Sequence, residues 1–279
     1  VVSTVSNLAP DHLDYMDSLE EYYISKMKIY ENCDNNDYFI RNVDDENINV
    51  KEMLDHLNST EEKSTTSCPS PYSFEESYKD AKIVIAITIS SKLSGCYNSA
   101  YLGAAQDGCE SRVHVVDSKG TAGMMSLLVD KAYELCKQNL SFEEISEKID
   151  DYQKSLNLLF VLNKFDNLVK NGRMSKVAAF IAKTIGIKPL CIADDGEIKV
   201  HSKLRTMKAA LASLVENIGI LCPSQEDRVC SIAYVLDDNV AQALKKLIES
   251  KYHFKEVRLE ESRGLCSFYA LEGGIIVSF

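Results

Sequence analysis

Residues 83–101 read IVIAITISSKLSGCYNSAY. An apolar run, Ile83 to Ile89, ends in a cluster of Ser90, Ser91, Ser94 and Gly95, and a stretch of helical character follows. A buried strand that runs into a Ser/Gly loop at a helix start is a ready anion site. The loop hydroxyls and the free N–H groups of the first turn converge on one spot, and the helix dipole favours negative charge there. On its own the Ser94-Gly95 pair reads equally as a helix cap without a ligand. A nucleophile at Ser94 is not supported, because no G-x-S-x-G elbow surrounds it and no histidine stands in a matching motif. The five histidines, His12, His56, His114, His201 and His253, show no i, i+4 pairing and no ligand spacing, so no metal site is expected.

The elements around this loop alternate. SFEE at 73–76 has the form of a capping box opening a helix. Then come the strand at 83–89, the Ser/Gly loop, and a helix through Ala105. VHVVD (113–117) reads as a strand, SKGTAG (118–123) as a loop, and 124–138 as a helix. A second capping box, SFEE at 141–144, leads a helix to about Ser155, and LLFVL (158–162) is a strand. This alternation implies βαβ units and a parallel sheet. Further on, 165–170 is helical, NGRMSK (171–176) a turn and 177–185 a helix. The segments 187–192 and 197–201 form a hairpin about Asp194, Asp195 and Gly196. Helices at 206–218 and 240–250 alternate with strands at 230–235, 256–259 and 273–279. Before all this, a strand tail at Val1 and Val2, a helix at 10–19, a strand at 22–30 and an acidic loop at 31–48 precede a helix at 50–57. Residues 61–71 read as a loop broken by two prolines. The fold class is α/β in two domains. The N-terminal parallel-sheet βαβ domain covers 1–160 and carries the Ser/Gly loop. A C-terminal mixed α/β domain covers 161–279.

Composition narrows the function. The 279 residues suffice for one large or two ordinary domains with real cores. A formal charge of −11, from 42 acids and 31 bases, argues against a nucleic-acid binder, whose surface is basic. Nine cysteines, an odd number with no C-x-x-C pair, fit neither a zinc site nor a disulfide framework. Free thiols in a reducing cytoplasm are expected. No apolar run approaches the roughly 20 residues of a membrane span, and the opening VVSTVSNLAPDHL lacks the basic and apolar stretches of a signal peptide.

Seven segments, taken in order, resemble the bacterial DegV family. TTSCP (65–69) is similar to that family's T-S-Q-P loop, and ITISSKLSGCYNSA (87–100) to its I-S-S-x-L-S-G-T-Y-x-S-A signature. VHVVDS (113–118) resembles V-x-V-I-D-S, NGRMSK (171–176) G-G-R-I-S-K, and GIKPL (186–190) N-I-K-P-I. The opening VVSTVSNL (1–8) is a weakened V-T-D-S-T-S-D-L, and YALEGGIIVSF (269–279) resembles H-x-G-P-G-x-I-x-x-x-F. The resemblance implies one long-chain fatty acid held in a tunnel between two α/β domains. It also implies a carrier without catalysis of its own. Such a carrier presents the carboxylate to a separate fatty acid kinase, with transient contact at the membrane surface and no cofactor. Carried over by position, Thr66 and Ser94 bind the carboxylate with the N–H of Gly95 nearby. Tyr269 stands where the family has a carboxylate-binding histidine, and Arg173 matches an arginine at the pocket mouth. Acyl-tunnel candidates are Phe180, Ile181 and Ile185, from VAAFIAKTI (177–185), and Met124, from MMSLLV (124–129); core packing explains the same residues.

Several positions depart from the family pattern. Ser3 replaces Asp, Cys68 replaces Gln, Cys96 replaces Thr, and Leu271-Glu272 replaces Gly-Pro. The last change removes a permissive glycine and puts a carboxylate near the head-group site, where an ionised Glu272 would disfavour a second negative charge.

Independently of any family, a fatty acid asks for a dry tunnel and fixed donors. Burying roughly 14 methylenes at about 0.8 kcal/mol each gives on the order of 11 kcal/mol as an upper bound. Bonds to the carboxylate add about 1.5–3 kcal/mol apiece. The tail therefore dominates affinity and the head group fixes register. A Ser/Thr/Tyr site also leaves the carboxylate oxygen reactive. Two rivals use the same loop. One is an enzyme or sensor that binds phosphate or sugar phosphate, which needs a short polar cavity. The other is a degenerate family member acting as an interaction module.

Overall fold

The computed structural model describes residues 48–59, 64–79, 81–106, 108, 111–174 and 186–279. The elements expected before residue 48 and the helix expected at 177–185 lie outside these residues. So do the tunnel candidates Phe180, Ile181 and Ile185.

The Ser/Gly loop follows β1 (Val84–Thr88), which is buried at every position. β1 pairs in parallel with β2 (Val113–Asp117), from Val84 opposite Val113 to Thr88 opposite Asp117. A helix packed beside them was expected to open on a capping box at 73–76; the structure corrects this. The helix is Pro71–Tyr78, and its cap is Ser70, whose hydroxyl accepts from the N–H of Ser73. Proline is suited to the first helical position, where its missing N–H would have no partner. Thus Pro71 opens the helix instead of closing the loop. Phe74 and Tyr78 bury against β1 and the helix Cys96–Gln106. The two helices touch closely at Gly103, where a Cβ would stand 2.6 Å from the carbonyl oxygen of Pro71.

The second capping box forms as expected. Ser141 caps the helix Phe142–Ser155, and the Glu144 carboxylate returns a bond to the Ser141 N–H. The helix Gly123–Cys136 packs beside it and covers the larger sheet. Among the described residues that sheet has six strands. In chain order they are β3 (Leu158–Val161), β4 (Lys188–Asp194), β5 (Glu197–Leu204), β6 (Val229–Tyr234), β7 (Glu256–Glu261) and β8 (Ile275–Ser278). Their spatial order is β5-β4-β3-β8-β6-β7, antiparallel except for the β6–β7 pair. The division expected at 160/161 falls inside β3. This strand does not extend the β1–β2 pair; its hydrogen bonds go to β4 and β8.

Strand alternation decides which side chains meet the cavity. Leu159 and Val161 face the helices Met207–Leu221 and Asp238–Lys251 with Ile275 and Val277. Leu158, Phe160 and Ile276 face the other way, towards the Ser/Gly loop. One helix was not expected from the sequence: Gly264–Ala270, which enters β8 through Leu271.

Candidate functional site

Strand ends build the site. Asp117, the last residue of β2, accepts from the N–H of Ser91 at 3.0 Å and from its hydroxyl at 2.5 Å. It also accepts from the N–H of Lys119 at 3.0 Å. The Ser90 N–H donates to the carbonyl of Gly120 at 2.9 Å. One carboxylate thus locks the loops after β1 and β2 side by side. The hairpin expected about Asp195 and Gly196 forms, with both residues at positive φ, 48° and 81°. Its tip closes onto these loops. The buried Ser90 hydroxyl donates to the carbonyl of Gly196 at 2.8 Å, and Lys119 pairs with Asp195. A Cβ at Gly196 would lie 2.5 Å from that hydroxyl, so a glycine is needed there for both its φ and the close approach.

Between the loops and the six-stranded sheet lies a cavity of about 420 Å³. This is within the range of roughly 300–1,000 Å³ typical of small-molecule sites. Leu158, Phe160, Leu162 and Ile276 supply much of its apolar wall. Thr66, Ser94, Gly95, Arg173 and Tyr269, named from sequence, all border it. The Thr66 and Tyr269 hydroxyls stand 2.6 Å apart. The Ser94 hydroxyl accepts from the Cys96 N–H at 3.2 Å and donates to the Cys96 sulfur at 3.2 Å, so it caps the helix and faces the cavity at once. Burial pushes the Cys96 thiol above its ordinary pKa, against the opposing pull of this Ser94 contact. Met124 does not border the cavity. It is buried in the core under Gly120, where a Cβ would meet its sulfur at 2.3 Å.

Arg173 is held by main-chain oxygens. Its Nε donates to Leu93 at 3.2 Å and its Nη1 to Asn171, and its guanidinium carbon lies 5.8 Å from the centre of the Tyr269 ring. Two asparagines tie this turn to the helix that carries Tyr269. The Asn171 amide donates to the carbonyl of Asn167 at 2.9 Å, and the Asn167 amide to the carbonyl of Phe268 at 2.7 Å. Leu271 follows that helix at φ 57° and ψ 174°, a region that costs a non-glycine residue about 1–3 kcal/mol. The chain keeps the backbone shape that glycine would favour, and a buried leucine side chain offsets its cost. Glu272 is exposed and does not border the cavity, so the expected charge conflict does not arise.

Sequence reasoning missed Lys119, Gly196 and Cys266 as wall residues. The hairpin signal was visible in Asp-Asp-Gly, but its landing place on Ser90 depends on how the two sheets pack. The spacing of Leu265, Phe268 and Tyr269 could have revealed the helix bearing Cys266. Among the described residues no His, Cys, Asp and Glu cluster suits a metal ion, and no helix is long and apolar enough to cross a membrane.

Fold and cavity together define an α/β protein with a Thr/Tyr hydroxyl pair set in the wall of a predominantly apolar cavity. The chain belongs to the DegV family, whose model, described as "Uncharacterised protein, DegV family", matches residues 16–278. A DegV domain-containing protein of Streptococcus pneumoniae is 33% identical over 241 residues, 85% of each chain. The solved S. pneumoniae Fatty Acid Kinase (Fak) B3 protein, loaded with linoleic acid, superposes with a TM-score of 0.78 at 32% identity over 85% of both chains. A DegV family protein from Ruminococcus gnavus, refined with vaccenic acid, gives a TM-score of 0.82 at 25% identity. It covers 100% of this chain and 98% of its own.

Proposed function

We propose that this protein binds one long-chain fatty acid in the cavity and presents its carboxylate to a separate fatty acid kinase. The tail runs along Leu158, Phe160, Leu162 and Ile276. The carboxylate meets Thr66, Tyr269, Ser94 and the N–H of Gly95, and Arg173 at the rim meets the partner or the nascent acyl-phosphate. The observation that carries this reading is the 2.6 Å hydroxyl pair in a predominantly apolar wall. Two hydroxyls facing each other use one proton between them, and the second proton is left for an outside acceptor. A carboxylate oxygen is such an acceptor. It gains a charge-assisted bond without an ion pair that would neutralise its nucleophilicity. The fatty acids held by the two solved relatives support the same ligand class. The kinase role rests on the likeness to the Fak B3 protein and on the placement of Arg173. An apolar cavity favours lipid over sugar phosphate, which needs polar groups along its whole length.

The test is direct. Protein purified from a bacterial host and extracted with organic solvent should release about one acyl chain per molecule by mass spectrometry. Protein that carries no lipid and does not take up added oleate refutes the proposal. With a cognate kinase, oleate phosphorylation should require this protein.

A further inference from the structure

We infer that Cys68 and Cys96 are an oxidisable thiol pair at the head of the cavity, and that their disulfide closes the acyl head-group site. Both sulfurs belong to residues that border the cavity. The Cys68 sulfur lies 3.1 Å from the place a Cβ on Gly95 would take, and 3.8 Å from the Ser99 hydroxyl. Gly95 and Ser99 stand four apart on one face at the start of a helix, and Cys96 follows Gly95 directly in the same turn. The Cys96 sulfur lies 3.2 Å from the Ser94 hydroxyl, at the same end of that helix. The Cys68 sulfur therefore sits against Gly95, the residue next to Cys96, and Gly95 has no side chain to stand between the two cysteines. Residues 64–70, which carry Cys68, form neither helix nor strand. That segment is free to supply the adjustment that disulfide geometry requires.

The exposures assign the order of events. Cys68 is exposed and Cys96 is buried, so a peroxide in solution meets Cys68 first. The Cys68 thiol loses its proton, the thiolate attacks one peroxide oxygen and the O–O bond breaks; the departing hydroxide takes up that proton, so the products are a Cys68 sulfenic acid and water. The Cys96 sulfur then attacks the sulfenic sulfur. The S–S bond forms, the S–O bond breaks, and the Cys96 proton leaves with the hydroxyl as a second water. The thiols lose two electrons and one peroxide gains them. Burial raises the pKa of the Cys96 thiol, so Cys96 gives up its proton only as its sulfur bonds to the sulfenic sulfur. The bond pulls residues 66–68 towards Gly95. Thr66 then leaves its place beside Tyr269, and the sulfurs fill the space of the carboxylate. This consequence for binding rests on the fatty-acid reading above; the disulfide itself does not.

The full-length protein is treated with hydrogen peroxide, digested without reductant and mapped by mass spectrometry, and oleate is titrated before and after. The expected result is a linked Cys68–Cys96 peptide pair and oleate affinity at least about tenfold weaker, with both reversed by dithiothreitol. In Cys68→Ser and in Cys96→Ser, oleate affinity should be the same before and after peroxide. Peroxide that leaves Cys68 as sulfinic acid with no linked peptide overturns the pair. A linked peptide with unchanged oleate affinity overturns the closing of the site. If neither redox form binds oleate, the lipid reading has failed, and the peptide map still decides the disulfide.

Discussion

Replacing Thr66 by valine tests the head-group site most sharply. The change keeps the branched shape and removes only the hydroxyl that stands 2.6 Å from Tyr269. If that hydroxyl serves a carboxylate, its loss costs about 1.5–3 kcal/mol, which is roughly 10- to 150-fold in Kd. The tail's upper bound on the order of 11 kcal/mol is untouched, so binding should weaken and not vanish. The dependence of affinity on chain length should then stay parallel between Thr66→Val and wild type. Titration of oleate by calorimetry gives the Kd, and oleyl alcohol serves as the uncharged control. The variant should lose at least about tenfold for oleate and much less for the alcohol, whose single oxygen gains no charge-assisted bond. Removing both hydroxyls, with Tyr269→Phe, should cost less than the sum of the two single changes, because both groups grip one anion. The unliganded protein should lose only about 0.5–1.5 kcal/mol of stability from the broken Thr–Tyr bond. If the valine variant binds oleate as wild type does, or loses the alcohol equally, the carboxylate is not held there.

Arg173→Ala should lower kinase-dependent oleate phosphorylation at least about tenfold while leaving the oleate Kd within about twofold; Arg173→Lys should restore little, since lysine lacks the planar fork that spans the Leu93 and Asn171 carbonyls. Gly123→Ala should lower stability by about 1–3 kcal/mol, because its Cβ would fall 2.1 Å from the buried Ser231 hydroxyl; Ser231→Gly in the same chain should recover part of that in urea unfolding. Burial pushes the Cys191 thiol from 9.0 up to about 12. A raised thiol pKa stabilises the fold fully below the unfolded value and progressively less as pH rises towards the folded one. Stability should therefore fall above about pH 9, and Cys191→Ala should remove about 1.4 kcal/mol per pH unit of that slope, read by urea unfolding at several alkaline pH values; an unchanged slope contradicts this.

Much of the fold was legible because its signals are local. The Ser141 capping box, the Asp195-Gly196 turn and the buried β1 run each depend on residues a few places apart. The failures share one cause, competition between neighbours that only packing resolves. SFEE occurs twice, yet only the copy at 141–144 caps a helix. At 73–76 the upstream Ser70-Pro71 pair starts the helix first, and the Glu76 carboxylate pairs with Lys79. The strand at 158–162 was identified as a strand, but its partner is invisible in a run of leucine, phenylalanine and valine. Such a run suits either sheet.

The sequence by itself determined the Ser/Gly loop at a strand end, the hydroxyl-bearing residues Thr66, Ser94 and Tyr269, and the family motifs that tie them together. Spacing along the chain is enough to specify a turn, a cap or a motif, since these form within a few residues. The tertiary structure alone decided that Thr66 and Tyr269, 203 residues apart, meet at bonding distance. It also brought the hairpin tip at Gly196 onto Ser90 and turned Glu272 out to solvent. Those outcomes depend on the register and angle at which two sheets close over one space. The apolar alternation that drives this closure is satisfied by many partners, and only the summed packing of the whole molecule selects among them.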